Sequence, residues 1–332
     1  MLETSNDSQS KVRSSAKSQL FSVVIPTYKR PELLIKAIKS ALVQGEILGE
    51  VIVVDDNDDP KYLQATKEAM EILSNDKLIY LKNSRTKGGC GSRNTGIVNA
   101  KYEYISFLDD DDYFLKGSLE AHLTAFGAPD IGMVYGAAKI VDEVYDDISI
   151  IYPRTKELTI EQMINGSCPS SSSIVVARKS VLVEAGLFDE TLPSFQDYDM
   201  WLKVLKISRA FSHNAVVAEF VQHDEDRVSV NLTRRFAGLD LICQKWKKEI
   251  QEFSSPAIFK RRYISAAHGV NGQLMLARGL KSRSSALYHL SQTVINAPKY
   301  KLNYAGWLVL GMFGFHATKI ALKTKRFLQT TK

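Results

Sequence analysis

Cysteine is scarce in this chain, which has 332 residues and only three cysteines, Cys90, Cys168 and Cys243. No CxxC pair and no histidine at zinc-ligand spacing accompanies them, so neither a disulfide framework nor a structural zinc site is indicated. Long apolar runs are missing too. The longest, at residues 305–315, has about eleven residues, whereas a membrane-spanning helix needs about 20. We therefore expect reduced thiols, a cytoplasmic location and no membrane-crossing helix.

Two phosphate-binding signatures are also absent. GxxxxGK[ST] does not occur, and GxGxxG fails because Asn94 stands where its third glycine is needed. This argues against P-loop and nicotinamide-dinucleotide sites. The segment from Lys87 to Asn94 is still a glycine-rich turn into a helix, able to present backbone N–H groups and Arg93 to an anion. Within it, Cys90 is expected to be a small buried residue, because no histidine or charged partner is evident.

Negative charge is scarce in the last third of the chain. From Arg234 to Lys332 there are 18 Lys or Arg against 3 acidic residues, a balance of +15, so the first 233 residues carry −9 within a total of +6. A basic segment with interleaved aromatics suits nucleic acid or an anionic lipid surface, whereas clustered carboxylates more often hold metal ions. Residues 1–19 lack the apolar core of a signal peptide and are expected to form a disordered tail.

Residues 21–126 alternate short, β-rich apolar runs with segments of helical spacing. Such alternation predicts an α/β fold, in which helices cover both faces of a parallel sheet. Ligands bind beyond the carboxyl ends of such strands. The predicted strands are 21–26, 50–54, 77–81 and 104–108, and the predicted helices are 31–44, 60–73 and 92–101.

After residue 130 this regularity is lost, and later the strand signals vanish. We expect a mixed extension of the same sheet up to residue 229 and a basic helical region from 230 to 332. The predicted strands of the extension are 131–141, 148–152, 174–177 and 215–221, and its helices are 159–165, 178–185 and 198–207. The predicted helices of the basic region are 239–253, 257–280, 286–296 and 304–327.

Four consecutive carboxylates, Asp109 to Asp112, follow the apolar strand that ends near Leu108. Like charges packed into a short loop cost electrostatic energy unless a cation or hydrogen bonds compensate. Magnesium and manganese favour sites with one or two carboxylates plus substrate phosphates. The loop therefore indicates a divalent metal and a nucleoside diphosphate, with a solvated acidic turn as the alternative.

A second acidic loop, Asp55-Asp-Asn-Asp-Asp59, follows the second predicted strand. By itself it equally fits a turn and a helix cap, because Asp and Asn are common in both. Next to the first acidic loop, it can instead bind a base or a ribose through hydrogen bonds.

Two further polar segments contain candidate residues. In Gln196-Asp-Tyr-Asp199, the carboxylates of Asp197 and Asp199 are two positions apart and so do not share a helix face. One of them can cap a helix, and one in a cleft can act as a general base toward a sugar hydroxyl. Farther on, His223 and Arg227 fit either a metal or phosphate site or a structural role, and no Ser-His-Asp arrangement can be assembled around these residues.

Five segments, in their order and spacing, resemble family-2 glycosyltransferases with the GT-A fold. The resemblance covers about residues 21–229. The segments are Val23-Val-Ile-Pro-Thr-Tyr-Lys-Arg30, Val53-Val-Asp-Asp-Asn57, Gly91-Ser-Arg-Asn-Thr-Gly96, Phe107-Leu-Asp-Asp-Asp-Asp112 and Gln196-Asp-Tyr-Asp199.

The resemblance implies a role for most of these polar residues. Asp56 would face the base in the nucleotide pocket, Asp109 would approach ribose or metal, and Asp111 would hold Mn²⁺ or Mg²⁺ on the diphosphate. The catalytic base would be Asp197, where the family usually has Glu in place of the preceding Gln196. The other residues assigned to the nucleotide-sugar site are Pro26, Tyr28, Arg30, Asp55, Arg93, Asn94 and Asp110, with His223 as a further metal candidate.

The implied reaction is metal-dependent, inverting transfer of a hexose from a UDP-, GDP- or dTDP-sugar to a hydroxyl of a glycan or lipid-linked acceptor, in cell-envelope polysaccharide synthesis. The basic region adds a hypothesis about location. Aromatic residues such as Trp307 and Phe313 precede the cluster Lys319, Lys323, Lys325 and Arg326, as in an interfacial helix with a basic end. This region would either dock peripherally on the cytoplasmic face of the inner membrane or cap the catalytic domain.

Two other functions fit part of the sequence. A sugar nucleotidyltransferase shares the sheet type and the carboxylate-bound metal, but its glycine-rich signature after the first strand is replaced by Pro26-Thr-Tyr28. A nucleic-acid-binding role for the basic region has no zinc finger or RNA-recognition motif to support it. Because the first 233 residues are acidic, we expect no nucleic-acid partner.

Overall fold

The computed structural model describes residues 19–142, 147–222, 231–277 and 283–297. Two compact units divide the chain. The first comprises residues up to 141, 148–191 and 196–221, and the second comprises 142–147, 192–195 and the residues from 222 onward. The predicted tail before residue 19, His223, Arg227 and the predicted helix at 304–327 lie outside the described residues.

One ten-stranded mixed sheet organises the first unit. Its main path runs β3-β2-β1-β4-β9-β6-β10-β5, with β7 paired to β6 and β8 to β10. The strands are β1 (Phe21–Thr27), β2 (Leu48–Asp55), β3 (Leu78–Lys82), β4 (Tyr104–Phe107), β5 (Asp112–Phe114), β6 (Ile131–Asp142), β7 (Asp147–Ile151), β8 (Glu157–Leu158), β9 (Val175–Arg178) and β10 (Arg209–Gln222).

Parallel pairing confines the first four strands to one half of the sheet. β1 pairs in parallel with β2 and β4, and β2 pairs in parallel with β3. Both faces of β1 and β2 are buried, as expected for strands with helices on each side. The other half is antiparallel, beginning where β9 pairs with β4 and β6. The predicted α/β sheet with a mixed extension is confirmed.

Seven α-helices accompany these strands within the described part of the first unit. Pro31 and Pro60 occupy first-turn positions of their helices, where a missing N–H costs nothing. The helices are α1 (Pro31–Leu42), α2 (Pro60–Leu73), α3 (Gly89–Asn99), α4 (Ser118–Ala125), α5 (Ile160–Ile164), α6 (Lys179–Glu184) and α7 (Gln196–Leu205).

The buried centre of the first unit joins the parallel sheet to α7. Trp201 and Phe107 are fully buried, with their ring centroids 6.1 Å apart. Phe188 meets both rings edge-on, at 5.6 Å from Phe107 and 5.9 Å from Trp201. This aromatic cluster fixes the start of α7 close to the carboxyl end of β4, and burial of each ring contributes on the order of 2–3 kcal/mol.

From residue 231 onward, the described regular structure consists of helices alone, as predicted. They are α8 (Leu232–Lys245), α9 (Lys247–Phe253), α10 (Pro256–Ala277) and α11 (Arg283–Asn296). The prediction of one helix over 239–253 was wrong. Asn231 caps an earlier start by accepting a hydrogen bond from Arg234 N, and buried Trp246, with ψ 27°, separates α8 from α9.

Other differences from the predictions concern short or polar elements. β5, β8 and α4 were not predicted, because strands of three and two residues show no periodicity and α4 is entered through left-handed Gly117. β10 begins at Arg209, six residues before the predicted start at 215. In the described ranges, no helix has the length and apolarity needed to cross a membrane.

Candidate active site

The candidate site lies at the carboxyl ends of β1, β2 and β4, in the first unit. Hydrogen bonds tie the loops that follow these strands to one another. Thr27, the last residue of β1, donates its hydroxyl to Asp110 at 2.8 Å, and Thr27 O accepts from Asp56 N at 3.0 Å. Asp110 and Asp56 follow β4 and β2, so the two acidic loops are brought together as the parallel sheet predicts.

Asp110 is the buried member of its loop, with 6% of its surface exposed. Its Oδ2 accepts from the Thr27 hydroxyl and, at 3.3 Å, from Tyr28 N. Burial raises the pKa of Asp110 to about 7, although the Thr27 hydrogen bond opposes that rise. This position suits a residue that fixes the loop after β4 more than one that touches a ligand.

Asp109 and Asp111 are more open and each is paired with an arginine. Arg93 Nη2 donates to Asp109 Oδ1 at 2.5 Å, and Arg30 Nη1 donates to Asp111 Oδ2 at 2.7 Å. The Asp109 and Asp111 side chains remain 31% and 20% exposed. The two carboxylates therefore face the open side of the site, each with a cation as its counter-charge.

The fourth carboxylate, Asp112, belongs to β5 and points toward Ser173. Ser173 donates its hydroxyl to Asp112 Oδ2 at 2.6 Å and accepts from Asp109 N at 3.0 Å. One serine thus fixes both ends of the acidic loop. Asp109, Asp110, Asp111 and Asp112 are held in four different environments, which a run of identical letters does not reveal.

In the second acidic loop, Asp55 is turned inward. It is fully buried, accepting at Oδ1 from the backbone and side-chain N–H groups of Asn57, both at 2.8 Å, and at Oδ2 from Tyr80 OH at 3.1 Å. Burial and the Asp55 charge raise the pKa of Tyr80 to about 12. Asp55 therefore shapes the loop from inside the protein.

Asp56 links this loop to the glycine-rich turn. Its Oδ1 accepts from Asn83 Nδ2 at 2.6 Å and its Oδ2 from Gly88 N at 2.8 Å. Gly88 has φ +119°, a backbone conformation that glycine adopts without strain. The hydrogen bond between Gly88 and Asp56 thus joins the end of β2 to the start of α3.

Pro26 lies on β1, and Tyr28 lies just beyond its end. Tyr28 is exposed, and the ammonium groups of Lys29 and Lys87 lie 5.1 and 5.3 Å from its ring centroid. Lys29 has φ 60°, unusual for a non-glycine residue, and its N–H donates to Asn57 Oδ1 at 2.9 Å. Such strain concentrates at functional sites, and here it presents an aromatic face between two cations.

Helix α3 is packed too tightly against the preceding turn to tolerate a side chain at Gly91. A Cβ there would lie 1.8 Å from Thr86 O, far inside van der Waals contact. Cys90 is buried, as predicted, and burial raises the pKa of its thiol to about 12. Cys90 is thus a neutral packing residue with no nucleophilic character.

Asn94 is directed away from the acidic loops. Its amide donates to Phe188 O at 2.9 Å and accepts from Phe188 N at 2.9 Å, and it also donates to Glu190 Oε1 at 2.7 Å. Glu190 further accepts from Arg85 Nε at 2.5 Å and from Thr86 N at 3.1 Å. Asn94 and Glu190 therefore hold α3, the glycine-rich turn and the loop at 187–190 together.

Asp197 stands in the first turn of α7, and its side chain is 35% exposed. Arg93 Nη1 lies 4.0 Å from its Oδ1, so one guanidinium faces both Asp109 and Asp197. Desolvation raises the pKa of Asp197 above its ordinary value, and the Arg93 charge opposes that rise. Asp199, by contrast, is fully buried and lies 3.6 Å from Lys203 Nζ, so the two carboxylates do diverge.

A divalent cation fits the chemistry of Asp109 and Asp111. In the described ranges, no three acidic, histidine or cysteine side chains form a preassembled metal cage. Mg²⁺ and Mn²⁺ nevertheless need only one or two carboxylates when substrate phosphates supply the other oxygens. Both carboxylates are partly exposed, and Arg93 and Arg30 show that the position attracts positive charge.

Several residues of the site were not found from the sequence. Glu190, Asn83 and Ser173 join segments far apart along the chain, and no spacing or motif signals such contacts. Thr27 lies in the first of the five sequence segments, but no role was predicted for it. Its hydroxyl, directly after a predicted strand, was the one feature of the sequence that could have indicated its bond to Asp110.

Residues 22–182 match the family model described as Glycosyl transferase family 2. The matched residues form a glycosyl transferase family 2 domain. The resemblance to family-2 glycosyltransferases is thereby confirmed, with four of the five sequence segments inside the match. The match covers Tyr28, both acidic loops, Arg93 and Ser173, and it ends before Asp197.

Among curated relatives, an uncharacterized glycosyltransferase of Rickettsia felis is 28% identical over 215 residues, covering 62% of this chain and 35% of that protein. The chain thus spans about a third of that relative's length. WfgD of Escherichia coli, named as a UDP-Glc:alpha-D-GlcNAc-diphosphoundecaprenol beta-1,3-glucosyltransferase, is 26% identical over 187 residues, which are 56% of this chain and 70% of WfgD.

Among solved structures, Staphylococcus aureus TarS 1–349 in complex with UDP-GlcNAc aligns with a TM-score of 0.54 at 16% identity. The alignment covers 86% of this chain and 92% of that one. At this identity the likeness establishes the fold, and it confirms the predicted GT-A class.

Proposed function

We propose that the chain is a metal-dependent, inverting glycosyltransferase that moves a hexose from a nucleotide sugar to a hydroxyl of a glycan or lipid-linked acceptor. The observation that carries this proposal is Arg93, a buried cation 2.5 Å from Asp109 and 4.0 Å from Asp197. One guanidinium joins a carboxylate suited to the donor diphosphate to a carboxylate suited to a general base. The family 2 domain and the glucosyltransferase activity named for WfgD support the same reaction class.

The donor nucleotide would lie across the ends of β1, β2 and β4. Tyr28 offers an exposed ring, and Asp56, whose oxygens already accept from Asn83 and Gly88, would accept from a base N–H through a remaining lone pair. Arg30 and Arg93 would contact diphosphate oxygens beside Asp109 and Asp111. We propose a UDP-sugar as the donor class, because UDP-Glc is the donor named for WfgD.

Asp109 and Asp111 would hold Mn²⁺ or Mg²⁺, and the bound cation would neutralise charge on the departing diphosphate. Asp197 accepts the proton of the acceptor hydroxyl as that oxygen attacks the anomeric carbon from the face opposite the diphosphate. The bond from the anomeric carbon to the diphosphate oxygen breaks, and the nucleoside diphosphate leaves with the electron pair. A single displacement inverts the anomeric configuration and needs no covalent sugar-enzyme intermediate.

The setting we propose is cell-envelope polysaccharide synthesis in the cytoplasm, with the basic region from residue 230 onward bringing the enzyme to an anionic membrane surface. WfgD is named for a lipid-linked acceptor, which supports this setting. The charge balance of +15 after residue 233 supports the surface. Sedimentation with anionic liposomes at low salt tests it, and full recovery in the supernatant would contradict it.

Calorimetric titration of UDP-, GDP- and dTDP-sugars, with Mn²⁺ and again with EDTA, tests the donor site. We expect micromolar binding of the UDP class that is lost in EDTA, and unchanged binding in the control Asp76→Asn, which alters an exposed carboxylate away from the site. Equal binding in EDTA would remove Asp111 from its proposed role. Binding to none of the three classes would contradict the proposed function.

A further inference from the structure

A cavity of about 240 Å³ lies in the first unit, and the donor site uses none of its lining residues. Its lining includes Tyr135, Tyr152, Arg154, Cys168 and Ser170. A volume below the usual 300–1,000 Å³ of a drug-sized site suits a ligand of about one sugar unit.

One wall of this cavity is also the support of the candidate active site. Cys168 and Ser170 line the cavity, and Ser173, a few residues on, accepts from Asp109 N at 3.0 Å. Ser172 lies close enough to Asp197 to oppose the rise of its pKa, and the Asp197 charge acts on the thiol of Cys168. The segment 168–173 therefore lies beside both the cavity and Asp197.

The lining combines aromatic surface with a positive charge. Tyr152 is 52% exposed, and with Pro153 and Pro169 it offers apolar surface of the kind that packs on the C–H face of a pyranose. Arg154 is exposed, and its Nη1 donates to Gly166 O at 3.3 Å. Within the described residues no carboxylate pairs with Arg154, so its charge is not neutralised by a neighbouring side chain.

We propose that this cavity is the acceptor subsite and that it binds a saccharide with an anionic substituent, a phosphate or a carboxylate, which Arg154 contacts. The inference rests on the proposed function, since an acceptor exists only if the chain transfers a sugar. The guanidinium binds the anionic oxygens through charge-assisted hydrogen bonds. The Tyr152 ring packs on the C–H face of this sugar.

Three small probes, titrated into the full chain and monitored by saturation-transfer NMR, test the subsite. The probes are N-acetylglucosamine 1-phosphate, methyl β-glucuronide and neutral methyl β-glucoside. We expect one or both anionic probes to bind at least tenfold more tightly than the neutral one, and the tighter of the two identifies phosphate or carboxylate as the substituent. Equal affinity for all three probes would overturn the inference.

Arg154→Gln should abolish the preference for the anionic probe, whereas Lys156→Gln should leave it intact. Lys156 is an exposed cation of the same segment outside the lining, so it is a matched control for net charge. Tyr152→Ala should lower the affinity for all three probes alike. Retention of the anionic preference in Arg154→Gln, or its equal loss in Lys156→Gln, would refute the role of Arg154.

Donor titration on the same variants separates this inference from the proposed function. Arg154→Gln should bind the UDP-sugar as the unaltered protein does, because Arg154 touches no donor residue. If the donor binds and the anionic probe does not, only the subsite is wrong. If the donor does not bind, the proposed function is wrong, and the cavity loses its assignment as an acceptor site whatever the probes do.

Discussion

Replacing Glu190 by glutamine should destabilise the first unit and the turn that leads into α3. Glu190 accepts hydrogen bonds from Asn94 at 2.7 Å, from Arg85 at 2.5 Å and from Thr86 N at 3.1 Å. Glutamine keeps one acceptor oxygen but turns an NH₂ group toward donors. At least one of the three partners therefore loses its hydrogen bond, and Arg85 loses its ion pair.

The structure sets the size of the effect. Burial acts to raise the Glu190 pKa, but hydrogen bonds from Asn94, Arg85 and Thr86 lower it from 4.5 to about 2. At about 1.4 kcal/mol per tenfold change, this corresponds to about 3 kcal/mol of preference for the ionised form. The Glu190 side chain is 15% exposed, but its hydrogen bonds from Arg85 and Thr86 lie at the surface, so solvent screening takes away part of this preference. We expect Glu190→Gln to cost about 2–3 kcal/mol at pH 7.

The pH dependence follows from the direction of the pKa change. A carboxylate whose pKa is lowered in the folded state contributes its full stability above about pH 4.5 and loses it as the pH falls toward 2. Urea unfolding of both proteins at pH 7 and at pH 3.5 measures the difference. Glu71→Gln, at an exposed helical position, is the control and should change stability by less than about 0.5 kcal/mol. A Glu190→Gln cost below about 0.5 kcal/mol at pH 7, or one that grows at pH 3.5, would refute this reasoning.

Three further predictions concern the site. The acid limb of the kcat/KM profile should lie above pH 3.8, since Asp197 must be ionised to act and its pKa is raised; a limb below that value would contradict this. Asp111→Asn should raise the Mn²⁺ concentration for half-maximal turnover at least tenfold, measured by metal titration. Gly91→Ala should lower the free energy of unfolding by about 1–3 kcal/mol, because its Cβ would meet Thr86 O at 1.8 Å, whereas the control Gly127→Ala meets nothing within 4 Å.

The parallel half of the sheet was predictable because its strands are buried on both faces. Continuous apolar runs such as 21–26 and 50–54 have few alternatives to a central strand, and helical spacing between them requires crossovers. The insertion of β9 between β4 and β6 was not predictable. Its neighbours are set by pairing between positions at least 40 residues apart, which local propensity does not predict.

The candidate site was predictable where residues follow strands directly. Asp56 and Asp110 both hydrogen-bond Thr27 because the carboxyl ends of parallel strands meet, which is a property of the fold. The different environments of Asp109, Asp110 and Asp111 were not predictable. They depend on Thr27, Arg30 and other partners supplied by distant segments.

Glu190 marks the limit of sequence reasoning most clearly. It lies 105 residues from Arg85 and 96 from Asn94 along the chain, in a loop with no helical or strand periodicity. From the sequence alone, a glutamate in such a loop is expected to be a solvated surface charge. Only the fold brings three donors to it and makes it part of the support of the candidate site.

Donor binding and sugar transfer by Asp197→Asn, measured in one preparation, test the assignment of the general base most directly. Asparagine keeps the size of the side chain but cannot accept the proton, so transfer should fall by about 10²–10⁴-fold while the calorimetric affinity for the nucleotide sugar with Mn²⁺ stays within a few-fold. A loss of donor affinity as large as the loss of transfer would contradict the role of Asp197, and so would transfer that persists at the original rate.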